Sequence, residues 1–152
     1  MKTLARESDK AEIVRRLRSV RPDSVRRWGR MSAHQMICHL TDSLRMAVGR
    51  KPVGVTGILL QRTVVKWIAL YFPVPWPAGI RTTPEIDQEV GGTPLGVFAT
   101  DVADLEALLE LITTDATPFE WHQHPYFGRM SDAAWLRWGY LHMDHHLRQF
   151  GT

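Results

Sequence analysis

The chain has 152 residues, 44% hydrophobic and 23% charged, with 11 Gly and 9 Pro, which excludes collagen-like, wholly disordered and heptad-only chains and suits one domain over residues 1–152. Its 19 Lys/Arg against 16 Asp/Glu leave +3, with the basic excess concentrated before Met31. A lone cysteine, Cys38, and an opening stretch too charged for a signal peptide point to a reduced, cytoplasmic setting.

A first helix is expected from about Ser8 to Val20, capped by Ser8 or Asp9, with Ile13, Val14 and Leu17 on one side and Pro22 beyond its end. The arginines that follow form a solvated face and loop. Only one aromatic, Trp28, accompanies them, so specific nucleic-acid binding is not expected. Ser32 and Gln35 spell a capping box for a second helix that runs to Gly49. Met36, Leu40, Leu44 and Ala47 turn one side of it toward a core.

Ile58 to Phe72 is a third, very apolar stretch. Gln61, Arg62 and Lys66 interrupt it, so it reads as a core helix and not as a membrane span. Pro73, Pro75, Pro77 and Pro84 then make residues 73–94 irregular, as a binding element, lid or partner contact would be. Asp101 is placed to cap a fourth helix carrying Leu105, Leu108, Leu109 and Ile112. An aromatic and histidine-rich run, Phe119 to Gly128, precedes Ser131, which caps the last helix to Phe150. The fold class is therefore all-α, an antiparallel four-helix bundle with an additional apolar helix and a Pro-rich loop.

Chemistry gathers on the last helix. His142 and His146 lie one turn apart, so their imidazoles share a face and can converge on one ion. His145 diverges from that face and is a poorer ligand. On the second helix His39 sits at the margin of the apolar stripe, whereas His34 falls on the polar side. Three neutral imidazoles from two helices suit a divalent transition metal such as zinc or nickel, with positions left for water or substrate. Asp42, one turn beyond His39, is a candidate to orient an imidazole or a plain solvated acid. Gln149, one turn past His146, could hold a water or satisfy a core polar site. Cys38 reads as a small packed side chain, because adjacent helical residues diverge.

The run Met31-Ser-Ala-His-Gln-Met-Ile-Cys-His-Leu-Thr-Asp-Ser, paired with His142-Met-Asp-His-His-Leu-Arg-Gln, resembles the DinB/YfiT-like superfamily of metal-binding four-helix bundles. His124-Pro-Tyr-Phe-Gly-Arg-Met-Ser, continuing into the last helix, resembles a branch of it described as a domain of unknown function. The resemblance implies a three-histidine metal site, here His39, His142 and His146. Characterised relatives include S-transferases and isomerases that use bacillithiol, mycothiol or glutathione-like cosubstrates.

Two functions follow as expectations. The first is a metal-dependent enzyme, thiol S-transferase-like or hydrolase-like, acting on a small electrophilic or anionic substrate with a low-molecular-weight thiol as possible cosubstrate. His124 would then be a catalytic proton carrier reaching in from the loop, or else a residue that shapes the helix entry. The second is a non-catalytic metal- or ligand-binding module, a homodimer through the Ile58–Phe72 helix.

Overall fold

The computed structural model describes residues 1–114 and 119–152, and these form an all-helical protein with no strand among them. Four long helices dominate: α1 (Glu7–Leu17), α2 (Ala33–Ala47), α4 (Phe98–Thr113) and α5 (Asp132–Gln149), with a short α3 (Lys66–Tyr71) between the second and fourth. Helix α2 packs on both α4 and α5, α1 lies on α5, and α3 rests against α5. The four long helices enclose a core that includes Ile13, Leu17, Met36, Ile37, Leu40, Leu105, Leu109, Met143 and Leu147, all at most 1% exposed.

The starts of α2 and α5 follow from their caps. Ser32 Oγ accepts from Gln35 N at 3.1 Å while Gln35 Oε1 accepts from Ser32 N at 2.8 Å, so two otherwise orphaned N–H groups are satisfied reciprocally. Ser131 Oγ accepts from Ala134 N at 3.3 Å and starts α5. Helix α1 begins earlier than Ser8, with Arg6 as a cap residue whose side chain makes no capping hydrogen bond. Asp9 instead sits inside the first turn and reaches back to accept from Thr3 N at 3.0 Å. Likewise α4 starts at Phe98, and Asp101 lies within its first turn, accepting from Gly96 N at 3.0 Å.

The apolar stretch is helical but is not a core helix. It enters α3 through a π-helical turn, Gln61–Val65, and only Leu70 is buried, whereas Leu59 is 77% exposed and Trp67 59% exposed. Beyond the apolar anchor at Leu70, polar contacts hold it. Arg137 Nε donates to Leu70 O at 2.9 Å, Trp76 Nε1 to Ala69 O at 2.8 Å, and Lys66 Nζ lies against the carbonyls of Phe127 and Arg129. Among the described residues, no helix is long and apolar enough to cross a membrane.

Past the prolines, a 3-10 turn at Pro84–Ile86 brings the chain back onto α2, where Ile86 is buried beside Met46 and Ala47. A second core cluster forms there, completed by Leu70, Phe127, Trp135 and Trp138. The His124–Gly128 bridge closes a tight loop, with Gly128 at φ 65°. At Gly57 a Cβ would lie 2.0 Å from Tyr126 O, so only glycine lets the irregular segment 54–57 accept that approach.

Candidate metal centre

Helices α2 and α5 bring His39, His142 and His146 together, with one ligand-capable atom of each lying within 4.8 Å of the others. His39 Nε2 and His142 Nε2 stand 3.2 Å apart, and the three rings meet edge to face at centroid distances of 4.8–5.2 Å. Two nitrogens each about 2.05 Å from a tetrahedral ion would lie about 3.3 Å apart, so this spacing fits two imidazoles on one ion.

Their outer nitrogens are already engaged. His39 Nδ1 lies 2.9 Å from Ile86 O, an acceptor only, so Nδ1 carries the hydrogen and Nε2 is left with its lone pair facing inward. His146 Nδ1 lies 3.0 Å from Gln149 Oε1. Gln149 is itself held, because its Nε2 donates to Trp28 O at 2.8 Å, which turns the amide oxygen toward the imidazole. Such outer contacts set ring orientation and tautomer at metal-binding histidines. Gly29 makes the arrangement possible: its φ is +79°, and a Cβ there would sit 2.4 Å from Gln149 Nε2.

Burial keeps the trio neutral. It lowers the pKa of His39, and it drives His142 and His146 well below the usual histidine range, where the repulsion that a second protonated imidazole would meet depresses those two further. Neutral imidazoles are the form that binds a transition metal. The donor set therefore fits such an ion, with all-nitrogen, uncharged ligands that leave its double charge uncompensated.

Aromatic rings enclose the trio. Trp138 packs on His142 at 4.7 Å between centroids and Trp76 lies 6.2 Å from both His142 and His145. His145 is buried between Trp76 and Trp28, and its Nδ1 has no hydrogen-bond partner among the described residues. Of the other tryptophans, Trp67 points outward and Trp121 stacks on Trp135 at 5.5 Å.

Asp42 and His124 occupy other places. Asp42 is fully buried but makes no hydrogen bond to an imidazole among the described residues. Its carboxylate accepts from Thr93 N at 2.7 Å, Thr93 Oγ1 at 2.6 Å, Lys51 Nζ at 3.0 Å and Gln88 Nε2 at 3.3 Å. It thereby pins the segment after the 3-10 turn, while the contact to His39 comes from the Ile86 carbonyl. His124 packs flat on Phe127 at 4.4 Å and edge-on to Trp138 at 5.1 Å, and Trp138 in turn packs on His142 at 4.7 Å. Its Nδ1 accepts from Tyr126 N and Phe127 N, and burial, aided by Lys66, pushes its pKa down to about 3.

The architecture is thus that of an all-helical protein with a three-histidine cluster, two of its members buried and His142 partly so, joining two of its long helices. Over residues 4–152 the chain belongs to DUF1569, a family described as a protein of unknown function. No curated protein and no solved structure matches it.

Proposed function

We propose that this protein binds one divalent transition ion, zinc or nickel, through His39, His142 and His146, in an antiparallel four-helix bundle of the DinB/YfiT-like kind. The observation that carries the reading is the 3.2 Å approach of two imidazole Nε2 atoms whose ring partners are otherwise committed to Ile86 O or buried among aromatics. Gln149 orients His146, and the Ile86 carbonyl orients His39. When bound, the ion would supply Lewis acidity, keeping a small thiol or water in its nucleophilic anionic form near neutral pH. Trp76 and Trp138 would exclude bulk water from the mouth and give an apolar wall to a small electrophile.

In this reading the activity is thiol S-transferase-like or hydrolase-like, in a cytoplasmic setting. His124 acts as a positioning residue, through Trp138 onto His142. The second reading, a binding module without turnover, is favoured by the enclosure itself, since His39 and His146 are both buried. The exposed side of the Leu59–Tyr71 helix is the surface we assign to a second copy of the chain, because a run of large apolar side chains in water marks a contact site.

The test is the metal content of the purified protein, followed by assays with several low-molecular-weight thiols against small electrophiles. One ion per chain at this site, so that His142→Ala/His146→Ala binds one ion fewer than the wild type, together with metal-dependent turnover, is expected for the enzyme. Metal without turnover selects the binding module. Full occupancy of this site after the double substitution would overturn both.

A further inference from the structure

A second group of ligand-type side chains lies on the other side of α2. His34 and Cys38 are one helical turn apart, and the first turn of α4 places Asp101 opposite them, with ligand atoms of all three within 4.8 Å of one another. One carboxylate oxygen, Asp101 Oδ2, receives His34 Nε2 at 2.6 Å, Gly96 N at 3.0 Å and Cys38 Sγ at 3.5 Å. Nitrogen, sulfur and oxygen donors converge here from two helices, 67 and 63 residues apart in the chain.

We propose that His34, Cys38 and Asp101 form a second divalent-metal site, of the zinc type, that clamps the first turn of α4 to α2. The donor set is one that zinc takes, with bond lengths of about 2.0–2.1 Å to nitrogen and oxygen and about 2.3 Å to sulfur. Tetrahedral geometry then asks for a sulfur–oxygen separation of about 3.5 Å, which Cys38 and Asp101 already have. The nitrogen–oxygen separation must open from 2.6 Å to about 3.3 Å, a small retreat of the half-buried His34 ring. Both His34 and Asp101 retain some solvent exposure, with side chains 16% and 20% accessible, so water can complete the shell.

The charge balance distinguishes this site from the trio. Binding displaces the thiol proton of Cys38 to solvent and moves the imidazole hydrogen of His34 to Nδ1. A thiolate, a carboxylate and a neutral imidazole then carry two negative charges against the two positive charges of the ion. The complex is neutral, and this suits a structural clamp. Three neutral histidines at the other site leave the ion's charge exposed to a ligand.

Cobalt substitution tests this, because the trio contains no sulfur. The full chain, kept reduced with a phosphine, is titrated with cobalt(II) while absorption and bound metal are followed. Two ions per chain are expected, with a near-ultraviolet thiolate-to-cobalt charge-transfer band. In His142→Ala/His146→Ala the band should persist with one ion bound. In Cys38→Ala the band should vanish and one ion be lost while the trio still loads. Wild-type protein that saturates at one ion without the band overturns the proposal and leaves His34, Cys38 and Asp101 as a hydrogen-bonded brace. This readout on the wild-type chain decides even if a variant fails to fold. It also separates failure of this site from failure of the trio, whose loss would remove an ion but not the band.

Discussion

At the metal centre we propose, His146 is oriented by Gln149, a side chain that would itself touch no ion. Gln149→Leu removes the acceptor for His146 Nδ1 and strands Trp28 O, so metal affinity should fall about 10- to 100-fold, read by competition with a chromophoric chelator. Gly29→Ala should weaken binding in the same assay, since its Cβ would drive into Gln149 Nε2 from a left-handed backbone. For His124→Ala the expectation is different. Loss of a ring stacked on Phe127, and of the acceptor for two N–H groups, should destabilise the fold by about 2–4 kcal/mol in urea unfolding while metal content is retained. Loss of the metal with unchanged stability would contradict that placement. Protonation ties these residues to pH. His39, His124, His142 and His146 all have folded pKa values below the unfolded value, so the unfolded chain binds more protons between the two. Their contribution to metal-free stability is complete above about pH 6.5 and declines as pH falls below it, by up to about 1.4 kcal/mol per unit for each histidine. Urea midpoints from pH 7.5 to 4.5 in chelator should show this fall, and a flat profile would refute it.

At the level of elements, stability depends on signals of unequal visibility. Ser32→Ala breaks the capping box of the helix that bears both His34 and His39, and should cost about 1 kcal/mol in thermal or urea unfolding. That helix and α5 were legible because cap, apolar period and histidine spacing agree within each segment, and the trio could be drawn from helical geometry alone. Other parts left no such trace. The partner of His39 is a backbone carbonyl, which any residue at position 86 would offer, so spacing points only to Asp42, and there it leaves an orienting carboxylate and a plain solvated acid equally open. Asp42 instead answers to Thr93, 51 residues away. Hydrophobicity alone also misplaced the stretch around α3, because an apolar side chain reports what it would gain by burial and not whether a neighbour exists to bury it. The His34–Asp101 pairing joins residues on different helices, with nothing in either segment to announce the other.

Across the whole molecule, the outward face around Leu59, Val64, Trp67 and Ile68 is out of keeping with a well-packed interior. Leu59→Glu with Ile68→Glu should shift sedimentation from dimer toward monomer with little loss of helicity, since neither side chain supports the core. A wild-type chain that sediments as a monomer would remove the second-copy assignment. The basic loop after α1 is not a free arm. Arg27 N donates to Gln149 O at 2.7 Å, fastening this loop to the histidine-bearing end of α5. The trio itself joins distant parts of the chain, because His39 and His142 are 103 residues apart and His39 leans on a carbonyl 47 residues away. An unfolded chain keeps only the His142–His146 pair as neighbours, a weak grip at best. An ion at the trio therefore cannot seed the fold and engages once α2, α5 and the turn at Ile86 have met. Its effect falls on escape from the native state, so metal loading should lengthen the lifetime of the folded protein and leave the speed of folding almost untouched.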